Sequence, residues 1–183
     1  FIGSHIVDEL LTQGHEVIVL DNFSEGKYEN LSRWHGKTRK LEVVRGDVRD
    51  FDIVRRVVDH REFVFHLAAC SRIQPSIVDP IMAFSQNCMG TVNVLEACRQ
   101  GGVKRVVYSA SSSAYGLKNV LSLSEDMPTD CLNPYSLSKK FGEEAMELYT
   151  RLYGLSTVSL RYFNVYGPRH QEDGAYATVI AIF

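Results

Sequence analysis

The regular alternation of short β-branched runs with helical periods limits this chain's folds more than any other feature. EVIVLD closing on Asp21, LEVVRGD closing on Asp47, FVFHLAA, KRVVYSA and STVSLRYF each read as a buried-type strand. Apolar residues recur at helical spacing from Ser4 to Gln13, with Gly14 placed to end that helix. They do so again near Phe51 to Asp59, Ile81 to Gln100 and Pro134 to Tyr153. Strands and helices in turn make βαβ units, which require a parallel sheet with strand ends gathered along one edge. The polar stretch from Ser24 to Arg39 reads as a long surface loop, and the segment after Phe163 is less regular.

A chain of 183 residues with 45% hydrophobic content supports one packed domain. Twenty basic and 22 acidic residues, net charge −2, are spread without blocks of one sign, which argues against nucleic acid and membrane surfaces as partners. No apolar run approaches the roughly 18 to 20 residues that span a bilayer. The four cysteines form no CxxC pair, and the six histidines lack ligand spacing with them. Reduced thiols, no metal site and a cytoplasmic setting are the expectation.

Three motifs carry chemistry. A dinucleotide fold needs a glycine turn opening a helix to receive the pyrophosphate, and an acid about 20 residues on for the ribose hydroxyls. Gly3 stands as the last glycine of such a turn and Asp21 as the acid. A carboxylate there favours NAD over NADP, although an Asp-Asn turn closing a strand would give the same letters. Tyr135 and Lys139, at i and i+4 after Pro134, share one helix face, while Leu137, Phe141, Ala145, Leu148 and Leu152 make a separate apolar stripe expected to pack. An ammonium beside a phenol favours the phenolate, so Tyr135 is expected to act as a base, with Lys139 holding its pKa down. The run YSASSSAYG, 108 to 116, places small hydroxyl residues at a strand's C-terminal end, where Ser111 would hydrogen-bond a substrate hydroxyl and the ketone it becomes. Taken alone, that run reads as a serine-rich turn.

FIGSHI, VLDNFS, RGDVRD, HLAA, NCMGTVNVLEA, YSASSSAYG, PYSLSKKFGE and RYFNVYGPR occur together and in order. The whole chain thereby resembles the extended short-chain dehydrogenase/reductase family, and within it the UDP-sugar 4-epimerases. The resemblance implies a Rossmann-type doubly wound parallel sheet read without its first strand, and a C-terminal substrate domain largely beyond Phe183, toward which 164–183 leads. It implies NAD as cofactor and a UDP-sugar as substrate. Asp21 and Asn22 would then meet the adenosine ribose, and Asp47 and Val48 the adenine. Leu67, Ala68, Ala69, Asn87 and Ser109 would line the rest of the cofactor, and Tyr162 would flank the nicotinamide. Ser111 would bind the reacting oxygen, Tyr135 would be the base, Lys139 would hold the nicotinamide ribose, and Asn164 would contact the nucleotide-sugar. The long helices would pair two subunits of the full-length protein as a homodimer.

Two departures bear on this. Arg72 stands near the sugar where relatives carry a small residue, and would alter substrate choice. Without a central first strand, the neighbouring strands would have unpaired edges over an opened core. The isolated chain is therefore expected to be poorly stable, a weak NAD binder and inactive. Dehydratases and decarboxylases of this kind carry an acid between the serine and the YG, where this chain has Ser112, Ser113 and Ala114. That difference, with the later GAYATV, favours a 4-epimerase over a dehydratase, decarboxylase or reductase. A non-catalytic dinucleotide-binding protein on the same scaffold is the remaining alternative.

Overall fold

The structure is a computed structural model that describes residues 1–120 and 122–170, so GAYATV lies outside the described residues. It divides into two compact units, one of residues 1–46 with the stretch from Asn164, the other Asp47–Phe163.

In the first unit, helix α1 (Ile2–Thr12) buries Val7 and Leu11 against Leu31, Val17, Val19, Trp34, Leu41 and Val43. Strand β1 (Val17–Asp21) pairs in parallel with β2 (Leu41–Arg45), Val17 opposite Leu41 and Asp21 opposite Arg45. The polar loop between them contains one 3-10 turn, Tyr28–Leu31, whose Leu31 completes this small core.

Arg169 ties the returning segment to α1 in a way no local pattern announces. Its guanidinium donates to Asp8 Oδ2 (2.8 Å), to the Asn30 carbonyl (2.9 Å) and to His5 Nδ1 (2.7 Å). Arginine only donates, so His5 Nδ1 must accept, and His5 Nε2 carries the proton given to the Pro168 carbonyl at 2.8 Å.

The second unit holds β3 (Phe63–His66), β4 (Arg105–Ser111) and β5 (Ser156–Tyr162), all parallel, in the order β3-β4-β5. Helix α2 (Phe51–Val58) starts on Asp50, whose carboxylate accepts from the amides of Asp52 and Ile53. A short α3 (Ile73–Val78) follows β3, and α4 (Pro80–Phe84) starts on Asp79. The long helix expected from Ile81 to Gln100 is interrupted: a π-helical turn, Ser85–Met89, separates α4 from α5 (Gly90–Gln100). Helix α6 (Pro134–Tyr153) opens with a reciprocal cap between Asn133 and Ser136 and closes on Gly154 at φ +69°. No helix of the described residues is long and apolar enough to cross a membrane.

Side chains alternate across this sheet, so Val106 and Tyr108, fully buried, face the helices, while Phe63, Phe65, Val158 and Leu160 lie exposed. Strands β1, β2, β3 and β5 each have one edge with no strand partner among the described residues.

Helix α6 corrects the sequence reading. Leu137, Phe141, Leu148 and Leu152 are exposed rather than packed, and of that stripe only Ala145 is buried. The packed face is small and polar instead: Ser136, Ser138, Lys139, Gly142, Ala145 and Met146. Gly142 explains this, because a Cβ there would lie 2.2 Å from the Tyr108 hydroxyl. The helix can approach β4 only along its smallest residues.

His66 ends β3 fully enclosed, its Nε2 3.0 Å from Thr91 Oγ1. The Thr91 hydroxyl donates to the Asn87 carbonyl at 2.6 Å, so it accepts from His66 Nε2. Burial first, then the charge of Lys139, push His66 down to about 3 from 6.5. Below pH 6.5 the unfolded chain binds a proton that the folded chain refuses, so stability falls by about 1.4 kcal/mol per pH unit from this site as pH drops toward 3. Urea unfolding across that range is expected to show a shallower acid slope in His66→Gln, which keeps a donor to Thr91.

Candidate active site

Ser111 is the last residue of β4 and lies opposite Tyr162, the last residue of β5. Both stand at C-terminal strand ends, where open parallel sheets bind ligands. Tyr135 and Lys139 face the same edge from the first turns of α6. Ser111 is the side chain that acts on the Tyr135 phenol to favour its ionised form. Lys139, 4% exposed, donates from Nζ to the Ser109 carbonyl at 2.9 Å and lies 5.1 Å from the centre of the Tyr108 ring. The serine, tyrosine and lysine that the sequence singled out therefore form one cluster.

The electrostatics differ from the expectation. Burial raises the Tyr135 phenol above its ordinary value, Ser111 opposes the rise, and charge on Cys70 adds to it. Lys139 does not hold the phenol down, because its ammonium is turned to the Ser109 carbonyl and is itself lowered by burial to about 8. Nζ has three N–H donors and Ser109 takes one, which leaves a buried cation with donors in hand at the strand ends. Ribose hydroxyls fit that arrangement.

Asn87, expected at the cofactor, spends its amide on protein atoms. Oδ1 accepts from the Cys70 amide at 2.7 Å, and Nδ2 donates to the Cys70 carbonyl (3.1 Å) and to Ser138 Oγ (2.8 Å). The Ser138 hydroxyl donates to the Tyr135 carbonyl. Asn87 thus staples the loop after β3 to the turn of α6 that bears the tyrosine, and the π-helical turn is what widens its helix there. Ser76 adds a second tie: its hydroxyl accepts from the Tyr135 amide at 3.1 Å and donates to the Ile73 carbonyl at 2.6 Å. The sequence reading missed Ser76, Ser138 and Cys70. Of these only Ser138 had a local signal, the spacing of small residues in PYSLSKK.

Leu67, Ala68 and Ala69 form the half-buried loop at the end of β3, and Arg72 is the residue from which α3 starts. Asp47 is held by Arg49 through two side-chain bonds of 2.8 and 2.9 Å and accepts from the Arg49 amide. Val48 packs against α5, where a Cβ on Gly90 would come within 2.6 Å of its side chain.

Gly3, Asp21, Asn22 and Asn164 belong to the other unit. Gly3 lies in the first turn of α1, and Asn164 is exposed. Asp21 ends β1 with Oδ1 accepting from the Phe23 amide at 2.7 Å, and a Cβ on Gly26 would meet Oδ2 at 3.0 Å. Asn22 Oδ1 accepts from the amide and hydroxyl of Ser24. This tight turn presents a carboxylate at a strand end, as ribose recognition requires.

A parallel α/β architecture of Rossmann type, with serine, tyrosine and buried lysine gathered at its strand ends, defines a class of nucleotide-binding folds. The chain belongs to the NAD dependent epimerase/dehydratase family, which it matches over residues 1–183. It is 40% identical over 185 residues to the UDP-glucose 4-epimerase of Mycolicibacterium smegmatis, matching all of this chain and 58% of that protein. Among solved structures it superposes on a UDP-N-acetylglucosamine 4-epimerase from Methanobrevibacter ruminantium M1 in complex with UDP-N-acetylmuramic acid. There the TM-score is 0.93 at 35% identity, covering 99% of this chain and 57% of the other. The complex of the Thermus thermophilus UDP-glucose 4-epimerase with NAD gives 0.85 at 39%, covering 96% and 56%. The chain thus spans little more than half the length of these relatives.

Proposed function

We propose that this chain is the dinucleotide-binding portion of a UDP-sugar 4-epimerase that uses NAD. The observation that carries the reading is Ser111 acting on the Tyr135 phenol, with Lys139 buried at the same strand ends and no carboxylate at 112–114. NAD, when bound, would supply the acceptor and then the donor of a hydride. Lys139 holds ribose hydroxyls with its remaining donors. Tyr135 takes the proton of the sugar 4-hydroxyl, Ser111 donates to the same oxygen as it becomes a ketone, and Tyr135 returns a proton once the ketone has presented its other face. Asp21 and Asn22 hold the adenosine ribose, Leu67, Ala68, Ala69 and Ser109 line the cofactor with Asp47 and Val48 on its adenine side, and Tyr162 flanks the nicotinamide. Arg72 and Asn164 contact the nucleotide-sugar.

The test uses protein made from its complete reading frame with UDP-glucose, UDP-N-acetylglucosamine and UDP-glucuronate. A product of unchanged mass and inverted C4 supports the reading and names the sugar, whereas a lighter product means dehydration or decarboxylation.

The exposed stripe of α6, with Ile81 and Met89 also exposed on the preceding helices, supports a homodimer built on helix faces. Leu148→Glu is expected to shift the full-length protein to monomer in light scattering. A mass unchanged by that substitution would place the contact elsewhere.

A further inference from the structure

The turn after β4 fixes which part of the Ser111 hydroxyl is left to act. Ser111 Oγ accepts from the Ser113 amide at 3.2 Å and from the Ser113 hydroxyl at 2.8 Å. A serine hydroxyl has two lone pairs and one proton, so both acceptor positions of Ser111 are taken. What remains is its own proton, available to Tyr135 Oη or to a substrate oxygen. The arrangement is built into the backbone: Ser111 caps the 3-10 turn Ser112–Tyr115, and Ala114 and Tyr115, both buried, hold that turn in place.

We infer that Ser113 is a positioning residue that locks Ser111 as a pure donor, so that the substrate proton passes directly to Tyr135 and never through Ser111. The inference rests on Tyr135 acting as the base. A relay through Ser111 would have to accept a proton on Oγ while giving one up, and Ser113 occupies the lone pairs that this requires. In the oxidising step the O–H bond of the sugar breaks and its proton goes to Tyr135 Oη. The electron pair of the C4–H bond leaves as hydride to the bound nicotinamide, the C4–O bond becomes double, and Ser111 keeps its proton throughout. Its donated bond follows the oxygen from hydroxyl to ketone and back, which suits an oxygen that accepts in both states.

The groups facing Tyr135 are Ser111 and Tyr108 from β4, Cys70 from the loop after β3, and Lys139 one turn along its own helix. Of these, Ser111 is the neutral donor that stabilises the phenolate. If Ser113 no longer orients it, Ser111 can turn away or accept instead, and the phenol becomes harder to ionise.

Two readouts on the NAD-loaded protein from the complete reading frame test this. Tyrosinate absorbance, taken as the difference from Tyr135→Phe, reports ionisation of Tyr135 without substrate. In Ser113→Ala its midpoint is expected at a pH about one higher, and in Ser113→Thr, which keeps the hydroxyl, close to the unsubstituted protein. Turnover should fall about tenfold in Ser113→Ala with little change in KM, and recover in Ser113→Thr. A titration midpoint unmoved in Ser113→Ala overturns the inference. If the midpoint moves but no UDP-sugar turns over, the lock on Ser111 stands and the proposed reaction fails.

Discussion

Tyr135→Phe is expected to slow turnover by about a thousandfold while leaving the fold intact. The phenyl ring keeps the packing of the first turns of α6. The ties that position this residue run through its backbone, to Ser76 and from Ser138, and survive the change. What is lost is the oxygen on which Ser111 acts and which, in the proposed reaction, receives the substrate proton. Turnover measured beside thermal unfolding separates the two effects: an unchanged melting curve with lost activity assigns the loss to chemistry. Near-normal turnover in the phenylalanine variant would remove Tyr135 from the reaction.

The second large effect is on stability. Gly142→Ala would place a methyl 2.2 Å from the Tyr108 hydroxyl and 2.4 Å from its ring. Tyr108 is 1% exposed, so its ring has no open space into which to retreat. Alanine favours the helix by about 1 kcal/mol over glycine, but overpacking a rigid interface costs more, and the net loss is expected near 2 kcal/mol. For a chain of this length that lowers Tm by about 5 °C. Trimming the partner should return part of the loss, so Tyr108→Leu combined with Gly142→Ala is expected to be more stable than the sum of the two single changes allows. Strict additivity would mean that the two residues do not meet.

Much of this architecture was legible in the letters. The strands announced themselves by β-branched runs of the right length, and the tyrosine and lysine by a spacing that puts them on one helix face. What escaped were features set by distant contacts. The apolar stripe of α6 looked like a core face, yet the pattern cannot say which side of a helix meets a sheet. The close approach at Gly142 decided that, and turned Lys139 and Ser138 inward. Lys139 lowering the phenol was a sound expectation for two neighbours in water. Inside the protein, burial acts on both groups and the Ser109 carbonyl claims the ammonium. Asn87 was placed at the site, but its bonds to Cys70 and Ser138 span 17 and 51 residues and depend on a π-helical turn with no signature in NCMGTVNVLEA. The clamp of Arg169 on Asp8 reaches across 161 residues and was equally invisible.

The central claim is that this centre oxidises and re-reduces one carbon, with Tyr135 moving the oxygen's proton and a hydride returning to the carbon it left. Running the reaction of the full-length protein in deuterated water tests this directly. The account predicts a C4 epimer with no deuterium on carbon, because the hydride stays within the site while only the hydroxyl proton exchanges. Deuterium at C4, or an epimer formed at the unsubstituted rate by Tyr135→Phe, would contradict it.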